Sequence, residues 1–236
     1  MSIKTILFIK LLLFVTVSVF GQFHFGIIDD KDGFVYVRSN KNVSDNVIDT
    51  LKNNQIIEYF DTEDGEKWVL VEYKNCKNLG SSYVYSNRIK PIDSFEKFTL
   101  ETNSSKLNTL FFNNLEVSIK LNQFDSTNHS YLFDQDNPVR NVRKIDNQDV
   151  NGIGDKLPKF EYQSITIKNK DKIFNIPPKY LKNLFEPNFH LTSAYFDSKR
   201  NRIYLQAFNS DGAYGYVVLW VIENSKVVDF IITSPF

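Results

Sequence analysis

Gly33-Phe34-Val35-Tyr36-Val37-Arg38 alternates apolar and larger, more polar side chains with a period of two, the pattern of a strand with one face buried. On that reading Val35 and Val37 face a core, while Phe34, Tyr36 and Arg38 share the opposite face. Working outward, Asn40 to Asn46 is a polar loop, and Val47-Ile48 with Leu51 begins a second apolar stretch. Lys52-Asn53-Asn54 is a turn, Gln55 to Phe60 a strand, and Asp61 to Glu66 a turn containing Asp64-Gly65. Lys67 to Tyr73 alternates again, and Tyr83-Val84-Tyr85 is a last short strand. Short strands at regular spacing with polar turns between them predict a small barrel.

These residues resemble the SH3-like domains of exported bacterial proteins. The matching pieces, in order, are Gly33-x-Val35-x-Val37-Arg38-Ser39, Val47-Ile48-x-x-Leu51-x-x-Asn54, Gly65-x-x-Trp68-x-x-Val71, Ser82-Tyr83-Val84 and Arg88-Ile89-Lys90-Pro91. Asn40-Lys41 stands where the family has Gly-Pro, Asn54 where it has Gly, and Ser82 where Gly precedes the aromatic. The resemblance implies an SH3-like domain over residues 25–92 that binds a ligand and does no chemistry. Aromatic rings grip sugars and peptides at low entropic cost. Tyr36, Arg38, Trp68, Tyr83 and Tyr85 are therefore the candidate ligand-binding residues of this domain, with a role in a small core as the competing reading for Trp68.

Residues 99–236 read as a β-rich α+β domain with one short helix. Leu115 to Leu121, Tyr131 to Phe133, Ile203 to Phe208, Tyr216 to Glu223 and Val227 to Thr233 are expected strands, and Asn169-Lys170-Asp171 closes a hairpin. Asp134 to Asp155 reads as polar loop. Pro177-Pro178 can open a helix on which Tyr180, Leu181, Leu184 and Phe185 share a face until Pro187 stops it. Asp211 and Tyr214, in a hairpin loop running to Tyr216 with two exposed-looking tyrosines, are the candidate binding residues here, while Trp220 is expected in the core. The segment Asn209 to Tyr216, with its following Trp-bearing strand, resembles the end of uncharacterised exported bacterial proteins. The whole chain is thus expected to be mainly β.

The first residues give an address. Lys4 and Lys10 precede an apolar run from Leu11 to Phe20 that ends in Gly21-Gln22, the layout of a signal peptide over 1–21. The run is too short to span a bilayer. The expected mature protein is therefore periplasmic or secreted, without stable membrane insertion. Cys76 is the single cysteine, which rules out an internal disulfide and a lipid anchor behind the leader. Lys plus Arg is 28, or 26 without Lys4 and Lys10, against 28 Asp plus Glu, a net charge of −2. No cationic excess is available for phosphates, so nucleic acid is not an expected partner.

Chemistry finds little footing in the residue pattern. Cys76 lies in an apparent loop and has no evident base, and His24, His129 and His190 show no metal-ligand spacing. No Gly-x-Ser-x-Gly elbow or phosphate-cradling loop is present. Asp146 to Asp155 aligns partly with a calcium loop, but Pro158 falls where the bidentate Glu belongs, so a polar turn is expected. These readings lead to a non-enzymatic protein, without cofactor or metal, whose partner is a cell-wall glycan or peptide or an envelope protein. Two alternatives stand beside it: an inhibitor or immunity protein acting on a toxin or wall hydrolase, and a glycan hydrolase using acids such as Asp146 and Asp155.

Overall fold

The computed structural model describes residues 23–62, 65–76, 79–134 and 141–234. The leader expected at 1–21 lies outside the described residues, as do Asp64, Asp136 and the final Pro235-Phe236. The chain divides into two compact units between Pro91 and Ile92. Strands dominate both, so the molecule is mainly β. No helix among the described residues is long and apolar enough to cross a membrane.

The N-terminal unit contains β1 (Phe23–Ile28), β2 (Phe34–Arg38), β3 (Val47–Lys52), β4 (Ile56–Phe60), β5 (Trp68–Glu72), β6 (Tyr83–Tyr85) and β7 (Ile89–Pro91). Alternation in β2 does what the sequence predicts: Val35 and Val37 are buried, Tyr36 is exposed, and Phe34 and Arg38 lie between. The core gathers Ile28, Val35, Val37, Leu51, Ile57, Val69, Val71 and Val84. Strand order is β3-β2-β6-β5-β4-β1-β7, with every pairing antiparallel. The expected closed barrel is not formed, because β3 and β7 remain the two edges of an open sheet. The short β7 ends in Pro91, which has no N–H to offer a further strand.

The C-terminal unit contains β8 (Glu96–Lys97), β9 (Thr99–Asn103), β10 (Leu107–Phe112), β11 (Leu115–Gln123), β12 (Tyr131–Phe133), β13 (Val142–Ile145), β14 (Gln148–Asp149), β15 (Phe160–Asn169), β16 (Lys172–Asn175), β17 (Thr192–Asp197), β18 (Arg202–Asn209), β19 (Tyr216–Glu223) and β20 (Lys226–Thr233). They form two five-stranded sheets, β16-β15-β11-β10-β9 and β20-β19-β18-β17-β8, and a small sheet β12-β13-β14. Val117, Ile119 and Ile165 from the first sheet and Leu205, Val218 and Trp220 from the second share one core, the arrangement of a sandwich. Trp220 is fully buried and donates from Nε1 to the Tyr180 carbonyl at 2.9 Å.

The expected short α-helix at 178–185 is a single 3₁₀ turn, Pro178–Tyr180. Positive φ at Asn183 (62°) and Glu186 (51°) stops helical propagation, and Leu184 and Phe185 instead form β-bridges to Asn151 and Glu161. The apolar residues Leu181, Leu184 and Phe185 are still buried, so their spacing reported burial rather than helix. The stretch from Asp134 to Asp155, expected to be loop, holds the β13–β14 hairpin. Asp146 (φ 52°) and Asn147 (φ 62°) supply the two left-handed residues of its turn.

Candidate functional site

In the N-terminal unit, β2, β5, β6 and the turns beside them enclose a cavity of about 180 Å³. The side of β2 that faces away from the core supplies Phe34, Tyr36 and Arg38 to it, as a period of two requires. Trp68 and Tyr85 are directly paired across β5 and β6, and their rings stack at 3.9 Å with an interplanar angle of 23°. Trp68 is buried and also lines the cavity. Arg38 is held by Nη1 donating to the Ser44 carbonyl at 2.8 Å and to Asn46 Oδ1 at 2.9 Å.

Four of the five residues nominated in this unit, Tyr36, Arg38, Trp68 and Tyr85, thus line one cavity. Tyr83 does not. It pairs with Arg38 farther along β6, and the Lys41 ammonium sits 5.8 Å from its ring centroid. Sequence reasoning missed Asp30 and Arg88, which complete the wall. Asp30 has a side chain only 2 % exposed and forms an ion pair with Arg88. It also accepts from the Asp32 backbone N–H at 2.8 Å, and its own backbone N–H and carbonyl are bonded by the Asn53 side chain. With Asp32 also in the lining, two guanidinium groups face two carboxylates, so the cavity carries no net charge.

A cleft of about 790 Å³ lies in the C-terminal unit and contains both residues nominated there, Asp211 and Tyr214. Tyr216, expected to be exposed with Tyr214, is instead buried, its hydroxyl donating to the Phe185 carbonyl at 2.9 Å. Burial pushes the Tyr216 and Tyr162 hydroxyls well above the usual tyrosine range, so both stay protonated donors. Asp155, named from the sequence in the calcium-like loop and as an acid of the alternative hydrolase reading, lines the same cleft.

That loop does not gather into a cation site. Asp146 accepts from the Ser130 backbone N–H at 2.9 Å and lies 2.7 Å from His129 Nδ1, Asp149 faces Lys144 at 3.5 Å, and Asp155 lies in the cleft wall. Among the described residues no group of three or more His, Cys, Asp or Glu is placed to hold a metal. His129 and His24 do have carboxylate partners, Asp146 and Asp61, which the sequence did not reveal. Cys76 is half-buried, its Sγ 3.4 Å from Ser82 Oγ.

Compared with known protein families, curated proteins and solved structures, the chain matches none of them.

Proposed function

We propose that this is an exported, non-enzymatic binding protein whose N-terminal unit acts as an SH3-like module and recognises a peptidoglycan fragment. The observation that carries the reading is the convergence of Tyr36, Arg38, Trp68 and Tyr85 on one cavity. A stacked Trp68–Tyr85 pair offers a rigid apolar wall, and Tyr36, 49 % exposed, offers a ring that a ligand can reach without opening the core. Arg38 and Arg88 provide forked donors, Arg88 being held in place by the buried Asp30, and Asp32 provides an acceptor. Balanced charge suits a ligand with polar groups of both kinds, and a volume of about 180 Å³, below the usual range for a whole small-molecule ligand, admits one sugar ring or one short peptide side chain rather than a longer strand.

Sedimentation of the mature protein with insoluble peptidoglycan tests this. Retention at low salt that falls in Tyr36→Ala is the expected result. A protein that stays in the supernatant at low salt overturns the reading.

A further inference from the structure

The C-terminal cleft is unlike the N-terminal cavity in size and construction, and it is built where three distant chain segments cross. Gly152 has φ 92°, and a Cβ there would lie 2.5 Å from the Phe185 carbonyl oxygen and 2.7 Å from the Tyr216 ring. Glu186 (φ 51°) and Ser210 (φ 60°) take up left-handed backbone without being glycine. The three are joined directly: Ser210 N–H donates to the Glu186 carbonyl at 2.9 Å, and Ser210 Oγ donates to the Gly152 carbonyl at 2.8 Å. Beneath them the buried Asn209 Oδ1 accepts from the Asn188 backbone N–H and from the Tyr162 hydroxyl, each at 3.1 Å. Unfavourable backbone held in place by surrounding packing is what concentrates at binding sites, where a fixed floor spares the ligand the cost of ordering it.

On this floor Tyr214 is set as a platform. A Cβ added at Gly154 would fall 1.9 Å from Tyr214 Cζ and 2.3 Å from both Cε atoms, so the ring lies flat across the Gly154 backbone. Its hydroxyl bonds Asn141 Oδ1 at 3.3 Å, which fixes its rotation, yet the residue remains 38 % exposed. Around it the cleft presents Asp155, Glu186 and Asp211 as acceptors, Lys156 and Lys159 as donors, and Asn188 with both capacities.

We propose that this cleft binds a strand of neutral, hydroxyl-rich sugars, stacked on Tyr214, as a second site independent of the N-terminal cavity. Sugar hydroxyls donate and accept at once and so satisfy a lining of mixed sign. A strongly charged ligand meets repulsion from part of that lining, and an apolar one leaves carboxylates and ammonium groups desolvated without partners. A volume of about 790 Å³ lies within the range of sites that enclose a ligand of several rings.

The test is calorimetric titration of the mature protein with a soluble N-acetylglucosamine oligosaccharide. Saturable binding is expected, weakened by about tenfold in Tyr214→Ala, whose exposed side chain can be removed without unfolding the unit. Gly154→Ala, which displaces the ring and leaves its chemistry in place, should weaken binding as well. Ile173→Ala, an exposed side chain of the same unit that lines neither site, should leave it unchanged. Absence of saturable binding overturns the proposal, as does equal affinity in Tyr214→Ala. Binding lost in Tyr36→Ala but kept in Tyr214→Ala places the sugar in the N-terminal cavity, which removes the second site while leaving the first intact.

Discussion

Replacing Gly152 by alanine tests whether the cleft floor is as tightly crossed as its geometry states. Two separate penalties apply. A left-handed φ of 92° costs an alanine about 1–2 kcal/mol. The added methyl must also displace the Phe185 carbonyl oxygen at 2.5 Å, which is backbone, and the buried Tyr216 ring at 2.7 Å; overpacking of this kind costs about 1–3 kcal/mol. Together they predict a loss of about 2–5 kcal/mol. Gly212 is the internal control, since it lies in the same unit, also has positive φ (52°), and has nothing within 4 Å of an added Cβ. Gly212→Ala should therefore lose only the backbone part, about 1–2 kcal/mol. Urea unfolding followed by fluorescence in a Trp68→Phe background lets Trp220 alone report the C-terminal unit. Equal losses in the two alanine variants, within about 0.5 kcal/mol, would refute the steric argument.

The ion pair behind the N-terminal cavity makes a second prediction: Arg88→Met leaves Asp30, 2 % exposed, without its cation and should cost about 3–5 kcal/mol in urea unfolding. Adding Asp30→Asn to that variant should restore much of the loss, and a purely additive double variant would contradict the pairing. Tyr36→Ala removes an exposed ring, so it should change stability by less than about 0.5 kcal/mol while reducing retention on peptidoglycan. The Ser130 backbone N–H, and then His129, hold the Asp146 carboxyl below its usual value of 3.8. Its contribution to stability is therefore present above pH 3.8 and is lost as the pH falls through the lower folded value. Melting curves between neutral and acidic pH should show a shallower acid decline in Asp146→Asn, and an identical decline would contradict the assignment.

Strand β2 was legible because one face is buried and the other open, so period-two alternation is written in its residues. Strand β1 was not, because Phe23–Ile28 is buried on nearly every side chain and follows directly on the apolar leader, leaving no alternation to read. The β13–β14 hairpin was hidden by its own chemistry: Asp146 and Asn147 mark polarity to a sequence reader, but they are also residues that tolerate left-handed backbone. The false helix at 178–185 came from apolar spacing that packing used in a different backbone. The N-terminal cavity was half legible. Local alternation nominated Tyr36 and Arg38, whereas Asp30 and Arg88 are 58 residues apart and nothing local to either signals the pairing. In the C-terminal cleft, Asp211 and Tyr214 were nominated from one loop, but the crossing of Gly152, Glu186 and Ser210 is a tertiary fact without a local pattern.

The chain has two tryptophans, and they report separate units: Trp68 lines the N-terminal cavity, and Trp220 lies fully buried in the C-terminal core. Titrating soluble peptidoglycan fragments into the mature protein while recording the two indole N–H resonances is the most direct test of the binding role. The account predicts a saturable shift of the Trp68 resonance, absent when Tyr36 is alanine. A Trp68 resonance that stays fixed at saturating ligand would contradict it.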